Sequence, residues 1–228
     1  MSTHDDSQRK AFDLDAARHL ATVRSKSRTY AKKATICVAA LGTPRRLLEM
    51  GCGGGFFTAE LARLLPGCGI VATDPYPAML EAAASQTADL QNVIVRPLEN
   101  GDRAFDAVCA VDVIHHLEDP ARSLAEWRAR VRPGGLLVAC EANPENPVLS
   151  LIALPKREER RFFLNRPSRL ARWLSEAGWA DVAVTRLPLY LPPGPAPLYA
   201  ALDRAENALH KLLRGAGCGS FLLRARNL

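Results

Sequence analysis

The stretch EMGCGGGFFTAELA, residues Glu49–Ala62, puts four glycines into the five positions from Gly51 to Gly55. Glycine gives up more conformational entropy on ordering than any other residue and contributes no packing, so a nearby contact must require bare backbone. Upstream, RLLEM (46–50) reads as a short apolar strand. Downstream, FFTAELARLL (56–65) spaces Phe57, Leu61, Leu64 and Leu65 for one face of a helix. Strand, glycine turn and helix together open a nucleotide-binding α/β unit, in which backbone approaches a ligand at a helix N-terminus.

The pattern repeats outward from that unit. IVAT is a strand ending at Asp74, and PAMLEAAASQ is a helix with Pro77 in its first turn. NVIV and FDAVCAV are strands, DPARSLAEWRARV is a helix closed by RPGG, and LLVAC is a fifth strand. Near-continuous apolar strands alternating with helices predict a parallel sheet covered on both faces. After Glu141 the rhythm breaks into a proline-bearing insertion over 142–167. SRLARWLSEAG then reads as a helix with Ser168 as N-cap, WADVAVTRL as a sixth strand, PLYLPPGPAPLY as a loop, AALDRAENALHKLLRG as a helix and GSFLLRARN as a last strand. Ahead of the first strand, Leu14 to Gly42 is helical material stopped by Gly42 and Pro44. The expected architecture is α/β, a doubly wound seven-stranded, mostly parallel sheet. An N-terminal helical cap spans 1–43, the main domain spans 44–228, and 142–167 is an insertion on the substrate side.

Composition sets the class. With 228 residues and 48% hydrophobic content the chain can bury a full core. No apolar run is long enough to span a bilayer, and the polar start MSTHDDSQRK carries no signal core, so a cytoplasmic home is expected. Six cysteines form no CxxC pair and sit in apolar runs, which reads as small core residues without disulfide or zinc. The net charge of +6 is scattered and reads as a basic surface.

The ligand class follows by exclusion. A P-loop needs Lys-Ser or Lys-Thr at its end, and none closes this loop. A dinucleotide GxGxxG fails, because its last position falls on Phe56 or Thr58. What remains is Glu49-x-Gly51-x-Gly53-x-Gly55. A carboxylate beside the loop disfavours a pyrophosphate and favours a ligand carrying a cationic amine. Asp74, at the end of the second strand, suits the two hydroxyls of a ribose. An amino acid joined to a nucleoside without phosphates meets both demands, as S-adenosylmethionine does.

At this point the chain resembles the class I S-adenosylmethionine-dependent methyltransferases, small-molecule branch, over about Arg45 to Arg186. LLEMGCGGG is similar to the family's first motif, VATDPYPAML to the next, FDAVCAVDVIHHLEDPARSLAEWRARVRPGGLLVACE to the block from strand four to strand five, and LARWLSEAGWADVAVTRLP to the following helix and strand. The resemblance implies S-adenosyl-L-methionine as cofactor and a small organic acceptor, possessing a place in natural-product chemistry. It puts the cofactor against Glu49, Gly51, Cys52, Gly53, Gly55, Asp74, Pro75, Val111 and Asp112. Where the family often has an acid for adenine, this chain has Leu98, followed by Glu99; either Leu98 packs against adenine or Glu99 reaches round.

Methyl transfer from a sulfonium is a displacement, and a hydroxyl acceptor is helped by a base. His115 and His116, after the fourth strand, are the candidates, each also readable as a structural residue. Tyr30, His115 and Asn143 are expected on the acceptor side, with Lys32 and Lys33 near Tyr30 and the run KREERR in the insertion. Asp112, His115 and His116 form too weak a pattern for a metal. Two rival readings stand: an RNA methyltransferase, against which the chain lacks an added RNA-binding module and a base-flipping motif, and a non-catalytic cofactor-binding domain.

Overall fold

A computed structural model describes residues 27–155, 161–188, 199–212 and 218–228. The polar leader, the segment Leu14–Lys26, most of KREERR and most of the Pro-rich loop lie outside them. Helix α1 (Ser27–Leu41) precedes β1 (Arg46–Met50), α2 (Phe56–Leu64), β2 (Gly69–Thr73), α3 (Pro77–Gln86), β3 (Val93–Val95) and β4 (Phe105–Val111). Then come α4 (Pro120–Arg128), β5 (Val131–Ala142), α5 (Pro147–Ala153), α6 (Pro167–Glu176), β6 (Ala180–Leu187), α7 (Tyr199–Leu212) and β7 (Ser220–Arg226). The seven strands form one sheet in the order β3-β2-β1-β4-β5-β7-β6. The first five pair in parallel, and β7 runs antiparallel between β5 and β6. The order reverses at β1/β4, so the ends of β1, β2 and β4 flank the crevice where this class of sheet takes ligands.

Strand alternation divides the core into two layers. Leu47, Cys109, Val138 and Leu222 face α1 and α2, packing on Cys37, Phe57 and Leu61. Leu48, Val108, Leu137 and Phe221 face α4 and α6, packing on Leu124, Trp127, Leu170 and Leu174. All six cysteines are buried.

Four sequence expectations change. Leu64 is 44% exposed rather than on the buried face of α2, which Phe57, Leu61 and Leu65 form. Helix α4 ends at Arg128, and RPGG lies within β5, because Asn227 of the chain end binds this stretch: its amide nitrogen Nδ2 donates to the Val131 carbonyl at 2.7 Å, and Gly134 N–H donates to the Asn227 carbonyl at 2.6 Å. Ser168 is not the N-cap of α6. Pro167 takes the first helical position, where its missing N–H leaves no donor unsatisfied, and Arg166 is the cap. Asp119 caps α4, its carboxylate accepting from Arg122 N–H at 3.0 Å.

The glycine loop shows what the bare backbone serves. Gly51 and Gly55 have φ of +69° and +79°. A Cβ on Gly51 would come within 2.6 Å of Val113 Cγ2, and one on Gly55 within 2.7 Å of Ala83 Cα. These two glycines therefore let protein approach protein, whereas a Cβ on Gly53 would meet nothing within 4 Å. Gly53→Ala is expected to lose about 1–2 kcal/mol from its left-handed backbone alone. Gly55→Ala adds a collision with α3 and is expected to lose about 3 kcal/mol or more. Urea unfolding of both variants measures the difference.

Candidate active site

Four carboxylates stand at the C-terminal ends of neighbouring strands: Glu49 on β1, Asp74 after β2, Asp112 after β4 and Glu141 on β5. Their surroundings differ, and so do the tasks open to them.

Glu49 is 2% exposed, and among the described residues its Oε2 makes no hydrogen bond; the buried Thr58 hydroxyl lies alongside the carboxyl. Burial, reinforced by the charge of Asp74 and opposed by the Thr58 hydroxyl, pushes its carboxyl up to about 8. Asp74 is half-buried and organises the loop. Its Oδ2 accepts from Gly53 N–H at 2.9 Å and its Oδ1 from Tyr76 N–H at 3.0 Å. Cys52 is buried beneath the loop, its N–H donating to the Thr73 carbonyl at 2.9 Å, and burial raises its thiol well above the usual range. Pro75 is exposed beside Asp74.

Leu98, expected against adenine, packs with Met50, Val71 and Val113 against the α4/α6 core layer. Glu99 points away, its side chain 66% exposed and 3.5 Å from Arg96. Arg96 makes a double hydrogen bond with Asp102, at 2.8 Å and 2.5 Å, which holds the Asp102 carboxyl below its usual range. Asp102 Oδ2 also accepts from Glu99 N–H at 2.8 Å, so this network fixes the 96–102 loop.

Beyond the 9%-exposed Val111 the chain turns at Asp112, whose φ is +56°. Lys33 Nζ donates to Asp112 Oδ1 and Oδ2 at 2.8 and 2.6 Å. The lysine costs itself its hydration by burial, but the Asp112 carboxylate holds its ammonium form far above the usual range. Tyr30, on the same helix, lies 6.5 Å from the Phe57 ring; burial and then the Asp112 charge push its phenol up to about 12.

A 3₁₀ turn, Ile114–His116, follows. Glu141, fully buried, ties it down. Its Oε1 accepts from Val113 and Ile114 N–H at 2.9 and 2.8 Å, and its Oε2 lies 2.7 Å from His115 Nδ1. Two backbone donors leave the carboxylate an acceptor toward the imidazole, so Nδ1 carries the proton and Nε2 is the basic nitrogen. His116 packs against His115 with ring centroids 4.0 Å apart and the planes tilted by 45°, and Phe162 of the insertion meets His115 edge-on at 6.4 Å. Arg161 anchors that segment, donating to the carbonyls of Leu117 and Glu118.

Asn143 differs from its expected place on the acceptor side. It is 1% exposed, its amide donates to the Cys218 carbonyl and Sγ at 3.0 Å each, and its Oδ1 accepts from Glu145 N–H at 3.1 Å. Its amide secures β5 to the turn into β7. Sequence reading missed Glu141, and it named Lys33 for the acceptor side without its bond to Asp112. Lys33 falls on the apolar stripe of α1 with Tyr30, Ala34, Cys37 and Leu41, and a lysine on such a stripe is itself a signal. Glu141 ends an apolar strand run with a charge, a second such signal.

The Glu49 oxygen that makes no hydrogen bond among the described residues suits a cationic group, and the acids at the strand ends suit a ligand without phosphate. Among the described residues no cluster of three metal-ligating side chains occurs, and no helix is long and apolar enough to cross a membrane.

The chain is similar to known proteins. Residues 48–137 match a family model described as a methyltransferase domain. A ubiquinone biosynthesis O-methyltransferase of Cereibacter sphaeroides is 34% identical over 108 residues, covering 45% of this chain and 42% of that relative. The chain thus spans less than half the length of that curated relative. A structure titled as an S-adenosylmethionine-dependent methyltransferase, possible histamine N-methyltransferase, from Thermotoga maritima superposes with a TM-score of 0.65 at 18% identity, covering 96% of this chain and 98% of that one. Phosphoethanolamine N-methyltransferase 2 of Haemonchus contortus, in complex with S-adenosyl-L-methionine, superposes with a TM-score of 0.60 at 15% identity, over 86% of this chain and 52% of that one. At these identities the two structures share the fold.

Without ligand, Glu49 ionises near 8 in the folded protein but near 4.5 when unfolded. The folded state holds this proton more tightly, so the group favours folding fully below about pH 4.5. That contribution is lost as pH rises through 8. Glu49→Gln, which keeps a neutral group of the same size, is therefore expected to gain in melting temperature over the unsubstituted protein between pH 5 and 9. Ligand-free thermal unfolding across that range checks it; a pH-independent difference contradicts it.

Proposed function

We propose that this chain is a class I S-adenosylmethionine-dependent methyltransferase and that it methylates an oxygen of a small organic acceptor. S-adenosylmethionine, when bound, supplies a methyl group on a positively charged sulfur. The observation that carries the reading is Glu49: a buried carboxylate at the glycine loop, near Asp74, with one oxygen that makes no hydrogen bond among the described residues. Such a group is retained at a stability cost where a cation completes it. Glu49 accepts the cofactor's amine, Asp74 the ribose hydroxyls, the N–H groups at Gly53 and Cys52 shape the loop, and Leu98 packs against adenine. Val111 and Asp112 border the amino-acid end. The curated relatives support oxygen as the acceptor atom, since they are named O-methyltransferases.

His115 is the base. Glu141 keeps its Nδ1 protonated, so Nε2 receives the proton of the acceptor hydroxyl as the methyl is transferred. His116, packed against it, restrains the ring. Phe162 and Phe163, packed edge-to-face at 5.4 Å, give the acceptor an apolar, aromatic border. We place the acceptor between these rings and the strand ends, with Tyr30 at its border, and assign 1–43 as a cap and 142–167 as the acceptor-side insertion. A cytoplasmic location fits a chain of this kind; a natural-product acceptor is one member of the proposed class.

Titration with S-adenosylhomocysteine is expected to show one saturable site, and Asp74→Ala to weaken it about 10–100-fold, the range for hydrogen bonds to a charged group. Unchanged affinity contradicts the ribose assignment. With an oxygen acceptor in hand, His115→Ala is expected to lower kcat about 100-fold or more while cofactor affinity holds within about threefold. Product mass spectrometry, reading one added CH2, follows the rate; an unchanged kcat removes His115 as the base.

A further inference from the structure

Asn165 closes the turn that carries Phe162. Phe162–Leu164 form a single 3₁₀ turn, and Asn165 N–H donates back to the Phe162 carbonyl at 3.0 Å. Three residues complete one turn of this helix, so side chains at i and i+3 share a face. Burial follows that period: Phe162 and Asn165 are buried, Phe163 is half-buried and Leu164 is exposed. Asn165 therefore lies on the Phe162 face, and that face meets His115, which Phe162 approaches edge-on at 6.4 Å. Arg161 holds the turn there by donating to the carbonyls of Leu117 and Glu118, just past the histidines.

The fold gives the Asn165 side chain nothing to do in that place. It is 1% exposed, and among the described residues its Nδ2 makes no hydrogen bond. A buried amide donor left unpaired has given up its water for no return, and folded proteins keep few such groups. Other asparagines of the chain show the usual outcome. Nδ2 of Asn92 reaches the carbonyls of Ala62, Leu65 and Cys68, that of Asn143 reaches Cys218, and that of Asn227 reaches Val131. An apolar side chain branched in the same way would fill the space at Asn165 without this cost.

Resting on the reading of His115 above, we propose that Asn165 determines acceptor specificity: its amide N–H binds a carbonyl oxygen of the acceptor, so that the site prefers an aromatic hydroxyl compound that also carries a carbonyl group. His115 Nε2 serves the hydroxyl that receives the methyl, which leaves the amide for a second atom. A second hydroxyl would bring its own hydrogen into a buried place and need a further acceptor for it. A carbonyl oxygen brings only lone pairs. The rings of Phe162 and Phe163 border the same space with aromatic surface.

Calorimetric titration of the full chain, saturated with S-adenosylhomocysteine, tests this with matched probes. These are the 2-, 3- and 4-hydroxyacetophenones and the corresponding ethylphenols, which share a skeleton and differ only in carbonyl against methylene. The unsubstituted protein is expected to bind at least one hydroxyacetophenone about tenfold or more tighter than its ethylphenol. Asn165→Leu is expected to bring that pair within about threefold of each other and to leave the ethylphenol within about threefold of its original affinity. Asn165→Ala, which removes the donor without filling the space, is expected to abolish the same preference. If neither variant folds, the preference of the unsubstituted protein decides the matter. Equal weakening of both members of the pair makes Asn165 a support for the turn and overturns the proposal. So does a preference that survives both substitutions, or an unsubstituted protein that binds the two alike or binds no probe. S-adenosylhomocysteine separates the failures: a chain that binds it and no probe loses this inference alone, and a chain that does not bind it loses the cofactor reading as well.

Discussion

Burying a carboxyl group with no cation bonded to it among the described residues is the constraint around which the functional end of this molecule is arranged. Glu49 sits at the tip of β1 with 2% exposure and an unbonded oxygen. An isolated charge there is expensive, so the empty protein answers by holding a proton on it to about pH 8. The sequence could have avoided the problem with any apolar residue, since Leu47 and Leu48 precede it in the same strand. A neutral acid that becomes a carboxylate when a cation arrives is a selective element: it favours an amine and disfavours a phosphate.

The neighbouring acids gain their separate roles from their bonding. Asp74 is half-exposed and spends part of its capacity on Gly53 and Tyr76 N–H, which shapes the loop and leaves it at the surface of the crevice. Glu141 is fully buried and turns inward, joining two backbone N–H groups and His115. Asp112 is neutralised by Lys33 from across the chain. Four residues of like charge on adjacent strands thus give a proton-holding acid, a loop organiser, an imidazole support and half of an ion pair. The sheet fixes their spacing, and the local donors decide what each does.

Most of the fold was legible in the chain. The apolar runs of β1, β2, β4 and β5 and the intervening helices follow from pattern alone, because each parallel strand is buried on both faces. The place of β7 was not legible. SFLLRAR reads as a strand, but its insertion between β5 and β6 depends on long-range pairing, such as Cys140 with Leu222, which no local signal carries. Leu64 and Ser168 misled for local reasons: one turn of α2 rotates Leu64 to solvent, and Pro167 starts α6 a residue early. At the site, Glu49 and the glycines were legible from spacing. The purpose of Gly51 and Gly55 was not, since Val113 and Ala83 that crowd them are 62 and 28 residues away. Asn143 looked like a ligand residue because it follows the fifth strand, but its amide is committed to Cys218.

The most direct test of this account is calorimetric titration of the full chain with S-adenosylhomocysteine near pH 7, repeated in two buffers of different ionisation enthalpy. Arrival of a cationic amine at Glu49 converts a protonated acid to a carboxylate, so the account expects one site whose occupation releases close to one proton. Binding with no proton released, or a site filled by NADH in place of the nucleoside thioether, contradicts it.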